Sequence, residues 1–269
     1  MIRKFIIINI IVLLGPLRGL SQSEQLVVNL SPSAAKRVFT FENPKGSVKV
    51  TGYDGNDIVV NATLRIREAA ILGGGTMKHI EQNPFDISAE ADGNNVTLFS
   101  KAGGKTVDFD IKIPDNFSLK LKSFDNGTIQ VINVNGEIEV ENANGNISLE
   151  NISGSAVLST VYGKIDATFR EVKPDYPMMF TSLEGDISLN LPPQVNAVLK
   201  MKTGTGEIYS DFDLVPGKRQ PVVKNIENRK VYSLEDWVVD RINSGGPEYI
   251  IRSYNGNIFI KKSRLSGNF

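Results

Sequence analysis

Serine, lysine, histidine and carboxylate side chains are the groups through which this chain could act on a substrate, so their spacing is considered first. Ser33-Ala-Ala-Lys36 has the form of the Ser-x-x-Lys nucleophile of penicillin-binding enzymes, Lys202-Thr-Gly204 matches their Lys-Thr-Gly, and Ser253-Tyr-Asn255 approximates the third element. The order is wrong, because that third element belongs between the other two, and the nucleophile should open a helix that this β-rich chain does not show. Gly104-Lys105-Thr106 resembles the end of a phosphate-binding loop, but Phe99 stands where its first glycine belongs and a strand follows it. We read it as a hairpin turn. His79 is the single histidine and there is no cysteine, which removes the ordinary zinc ligand sets. Glu137, Glu139 and Glu141 alternate along one strand and would share a face about 7 Å apart. That spacing suits calcium or a sugar-cleaving pair, and equally the solvated face of an outer strand.

The elements that would hold these groups are written in a repeat. NGEIEVENANGNISLENISG, Asn135 to Gly154, places glycine every nine residues, and the same count runs through Gly127, Gly136, Gly145, Gly154 and Gly163. Two and four residues after each glycine the side chain is generally aliphatic, with polar residues between, which is the period of a strand with one buried face. Asn-Gly pairs at Asn126, Asn135, Asn144 and Asn255 mark corners, since both residues tolerate positive φ. Asn133, Asn142 and Asn151 recur at one offset and could stack their amides between coils. These features predict an all-β fold: a β-solenoid of half-coils of about nine residues, with a β-rich N-terminal part. An antiparallel meander is the competing arrangement, because Asn-Gly between alternating runs also signals hairpins. Constant spacing favours the solenoid.

Thirty basic and thirty acidic residues cancel, so no net field draws the protein to nucleic acid or to an anionic membrane. Arg3 and Lys4 precede the apolar run Phe5 to Leu14, and Gly19-Leu20-Ser21 offers small residues for cleavage. This reads as a signal peptide over 1–21, with no membrane insertion after its removal. The mature chain, 22–269, is expected to be one elongated domain: a β-rich part over 22–122, the repeat solenoid over 123–210 and 247–262, and an excursion over 211–246.

FENPKGSVKVTGYDG, TSLEGDISLNLPP, KTGTGEIYSDFD and INSGGPEYIIRSYNGNIFIKK together resemble the "putative adhesin" family, a domain-of-unknown-function family of exported bacterial proteins. The resemblance covers about Phe41 to Lys262. It implies a β-solenoid outside the cytoplasm, periplasmic or at the cell surface, and supplies no catalytic residues and no cofactor. The function expected is a non-enzymatic adhesin-like module or envelope scaffold that contacts a protein or glycan. The alternative is a β-solenoid carbohydrate-active enzyme, a lyase or hydrolase, which would stack acids and bases at matching positions on adjacent coils. The candidate binding residues are Tyr209, Phe259 and Trp237. Tyr209 and Phe259 stand three residues after a glycine, where the series otherwise reads Lys49, Gln130, Glu139, Ser148, Asp166 and Ser188. They are either covered by residues 211–246 or form an aromatic surface for a partner.

Overall fold

The computed structural model describes residues 23–30, 36–65, 85–101, 104–125, 127–217, 221–226, 229–234 and 236–263, with backbone alone over 221–234. The signal peptide expected over 1–21, Ser33, His79 and Asn126 lie outside the described residues. Every described element is a strand, and all but one hairpin belong to a single 20-stranded sheet wound into coils.

Each coil has one strand in a face called here sheet I and the next in the opposite face, sheet II. The central coils follow the chain. Coil 3 is Phe117–Asp125 with Ile129–Ile132, and coil 4 is Asn135–Asn144 with the first half of Ile147–Tyr162. Coil 5 is the second half of that strand with Ile165–Val172, and coil 6 is Met178–Glu184 with Ile187–Leu191. Parallel pairing joins them, with one register irregularity between Leu149 and Ser153: Gly136 opposes Gly154 in sheet I, and Ile147 lies between Ile129 and Ile165 in sheet II. The nine-residue glycine count is therefore a half-turn, and along sheet II of coils 3 to 5 the isoleucines stack on those eighteen positions away. Glu139 accordingly belongs to sheet I, while Gln130 and Ser148 belong to sheet II.

Both ends depart from chain order. Arg37–Lys45 with Val48–Tyr53 forms coil 2, wedged between coil 3 and coil 1, which is Asn95–Ser100 with Val107–Pro114. Within the part over 22–122 read from sequence as β-rich, residues 37–53, 95–100, 107–114 and 117–122 thus supply coils of the same stack. Gly104 lies between the two strands of coil 1, so Gly104-Lys105-Thr106 turns the chain from sheet I to sheet II rather than closing a hairpin. At the other end Glu248–Asn255 with Ile258–Lys262 forms coil 7, inserted between coil 6 and coil 8, which is Ala197–Thr203 with Ile208–Ser210. Antiparallel strands close the stack. Asp57–Leu64 and Ile87–Asp92 lie against coil 1, and Val238–Ile242 from the 211–246 segment lies against coil 8, so this part of the excursion extends sheet I.

The core is filled by rows of like residues, one per coil. Ile129, Ile147, Ile165, Ile187 and Ile258 are buried in one row, continued by the partly buried Ile208. Each contributes about 1.5–3 kcal/mol of burial. At Gly154 the alternation holds with a smaller residue: Ala156 and Leu158 face inward, and Val157 faces out.

A glycine column sets the spacing at one corner. A Cβ on Gly145 would sit 1.8 Å from the carbonyl oxygen of Gly127, one on Gly163 2.1 Å from that of Gly145, and one on Gly185 2.2 Å from that of Gly163. The column runs on through Gly256 and Gly206. Each of these carbonyls also accepts a side-chain hydrogen bond. Asn142 Nδ2 donates to Gly127 at 3.0 Å, Thr160 Oγ1 to Gly145 at 3.1 Å and Ser182 Oγ to Gly163 at 3.0 Å. Ser253 Oγ donates to Gly185 at 3.0 Å and Thr203 Oγ1 to Gly256 at 2.8 Å. Asn142 thus serves this column and not an amide ladder. At the opposite corner Asn133 and Asn151, both at positive φ, do stack, with Asn151 Nδ2 donating to Asn133 Oδ1 at 2.6 Å.

Two outcomes follow. Gly163→Ala drives a methyl into the backbone of Gly145 and should lower the melting temperature far more than Gly93→Ala, where a Cβ meets nothing within 4 Å and only the φ of 59° opposes it. Burial pushes the Tyr249 hydroxyl up to about 12 from 10.0, so the neutral form is favoured by folding. Below pH 10 this costs nothing, and between pH 10 and about 12 the unfolded chain ionises first, so stability falls by on the order of 2 kcal/mol. Chemical denaturation across that window should show Tyr249→Phe gaining stability relative to the native chain.

Candidate functional site

Alternation on the last two coils decides where the candidate aromatics point. Ile208 and Ile258 face the core, so Tyr209 and Phe259, each one residue on, must project from sheet II. The register sets Tyr209 directly opposite Phe259, and Phe259 opposite Ser188. The two rings stack with centroids 5.2 Å apart and planes within 9°. Tyr209 is 49% exposed. Its hydroxyl donates to Glu207 Oε2 at 2.5 Å, and this bond and the neighbouring negative charge raise the phenol above its ordinary pKa. Lys261 Nζ lies 5.3 Å from the Phe259 ring centroid. The result is an aromatic pair with an anion on one side and a cation on the other, fixed by two strands.

Trp237 is not part of it. It precedes the closing strand Val238–Ile242, which pairs with sheet I, and its half-buried ring lies 5.3 Å from Lys200 Nζ. Beside it Asp236 pairs with Lys202 at 3.4 Å. The structure brings Tyr209 and Phe259 together and leaves Trp237 on the other face.

The residues with catalytic spacing are dispersed in the same way. Ser253 is buried in the glycine column, Lys202 pairs with Asp236, and Lys36 pairs with Glu137 at 2.7 Å. Glu139 and Glu141 pair with Lys120 at 3.6 Å and Lys122 at 2.9 Å. The three glutamates are thus ion-pair partners, and no group of acids, histidines and cysteines that could hold a metal occurs among the described residues.

A cleft of about 310 Å³ at the second corner escaped the sequence reading. Gly136 and Gly154 line it with Glu137, Glu171, Lys36 and Lys173. The hydrogen bond from Lys36, with the charge of Lys173 behind it, holds Glu137 below the usual carboxylate range. Arg170 braces the same corner by donating to Asn135 Oδ1 at 2.6 Å and Ser153 Oγ at 2.8 Å. Glu137 is kept ionised, which suits binding and opposes a role as general acid. Lys36 and Glu137 are brought together by insertion of coil 2, which no local spacing announces.

No helix among the described residues is long and apolar enough to cross a membrane. No curated protein matches the sequence. Among solved structures, a "putative cell adhesion protein" from Clostridium sporogenes is similar at 12% identity with a TM-score of 0.47, over 90% of this chain and 100% of that one. A "putative adhesin" from Bacteroides fragilis is similar at 10% identity with a TM-score of 0.32, over 90% of this chain and 97% of that one. The sequence itself matches the family Toastrack DUF4097 over residues 21–236, and with its glycine-cornered β-solenoid the chain belongs to that family.

Proposed function

We propose that this protein is a non-enzymatic module, exported through the signal peptide at residues 1–21, that contacts a protein or glycan of the cell envelope through the face carrying Tyr209 and Phe259. The stacked, solvent-facing pair carries this reading. Its rings are immobilised by strand register before any ligand arrives, so binding costs little side-chain entropy, and flat aromatic surface is what both sugar rings and protein hot spots use. Glu207 and Lys261 at its two sides add an acceptor and a donor for hydroxyl or amide groups. The candidate acids support a binding role over a hydrolytic one, since Glu137, Glu139 and Glu141 each lie in an ion pair.

The test is the double substitution Tyr209→Ser with Phe259→Ser. The expected outcome is a nearly unchanged melting temperature, because Ile208 and Ile258 hold the strands, together with loss of binding to isolated cell-envelope material. A large fall in stability with protease sensitivity over residues 211–246 would instead make the pair a structural element of that end.

A further inference from the structure

The outer face of sheet I carries an apolar patch bounded on two sides by opposite charge. Along the stack, one row reads Lys120, Glu139, Val157, Met179, Ile250 and Lys200, from coil 3 through coil 8. The next reads Lys122, Glu141, Ser159, Thr181, Arg252 and Lys202. A third row brings Val161, Leu183 and Tyr254 side by side on coils 5, 6 and 7. Val157, Val161, Met179, Leu183 and Tyr254 are between 38% and 54% exposed. Two apolar rows, divided by Ser159, Thr181 and Arg252, on a rigid sheet mark a contact surface.

The symmetry of the charges identifies the occupant. Coil 6 is the centre of the patch, with the Glu139 and Glu141 of coil 4 two steps to one side and the Lys200 and Lys202 of coil 8 two steps to the other. We propose that a second copy of this chain packs on sheet I, face to face and with its stack reversed, about a two-fold axis running along Met178–Glu184. That rotation preserves the rows and exchanges coils 4 and 8. Glu139 then faces Lys200 of the second copy, Glu141 faces Lys202, and Val157 and Val161 meet Ile250 and Tyr254. A two-fold along the stack would instead set Glu141 on Glu141 and Lys202 on Lys202. Both acids keep about half of their side chains exposed beside Lys120 and Lys122, so each can accept a further cation. Five coils at about 4.8 Å and five residues at about 3.3 Å give a flat footprint of roughly 400 Å² per copy, which places the dimer at the weak, concentration-dependent end of specific interfaces.

Sedimentation of the native chain from about 10 to about 500 µM should show conversion from monomer towards dimer, as expected of a small interface. The pair Glu139→Lys with Glu141→Lys, and separately Lys200→Glu with Lys202→Glu, should each give a monomer with an unchanged circular dichroism spectrum. An equimolar mixture of the two should associate, because every facing pair is then opposite in sign. The chain has no cysteine, so Thr181→Cys, on the axis, should cross-link to itself through a bismaleimide spanning about 10 Å, while Asp166→Cys on sheet II should not. A native chain that stays monomeric throughout overturns the proposal. So does a mixture that fails to associate, or equal cross-linking of the two cysteines.

Discussion

The carbonyl oxygen of each corner glycine points at the α-carbon of the next glycine in the stack, and that contact sets the rest of the structure. It leaves no room for a methyl group, so the corner must be glycine in coil after coil. The same carbonyl accepts from a serine, threonine or asparagine of the neighbouring coil, three residues before the next glycine in the stack, and buried backbone acceptors are rarely left unpaired. One small residue and one short hydroxyl or amide per coil therefore fix both the distance between coils and the rotation of each upon the last. Once those are fixed, isoleucine falls on isoleucine inside, and the outer side chains are held in straight rows.

Straight rows are what give this fold its chemistry. A parallel stack brings residues distant in the chain to neighbouring positions at constant spacing, so a pair such as Tyr209 and Phe259 is fixed without any dedicated support. The same regularity tends to neutralise charge, as acids on coil 4 find lysines on coil 3. What remains outside is a set of flat surfaces whose character changes along the axis, from salt-bridged at coils 3 and 4 to two apolar rows beside Ser159, Thr181 and Arg252 at coils 5 to 7. Such a surface is suited to recognition, and its acids are committed to lysines rather than to proton transfer.

The central coils were legible because every element of their physics is local: a glycine, an aliphatic residue two and four positions on, and an amide or hydroxyl before the corner. The outward direction of Tyr209 and Phe259 followed from the same count. Coil 1 was not legible, since Val107 and not a glycine stands where the column reaches it. Glu139 was placed in the wrong series because half-turns and full turns cannot be told apart from spacing alone when both corners carry glycine. The Glu137 cleft depends on Lys36, delivered from about a hundred residues earlier, and Trp237 gave no sign of which sheet it would join.

The out-of-order coils at both ends bear on how such a protein can change over generations. Between coils 3 and 6 sequence order and spatial order coincide, so one full turn, such as the eighteen residues that separate Gly136 from Gly154, could be duplicated or lost there and the stack would lengthen or shorten by one step. Coils 2 and 7 lack that freedom. Each is gripped on both sides by coils it does not follow directly in the chain, and deleting it would open a gap inside the molecule instead of trimming its end. Growth is thus confined to the middle, and the two ends behave as fixed clasps around an array of adjustable length.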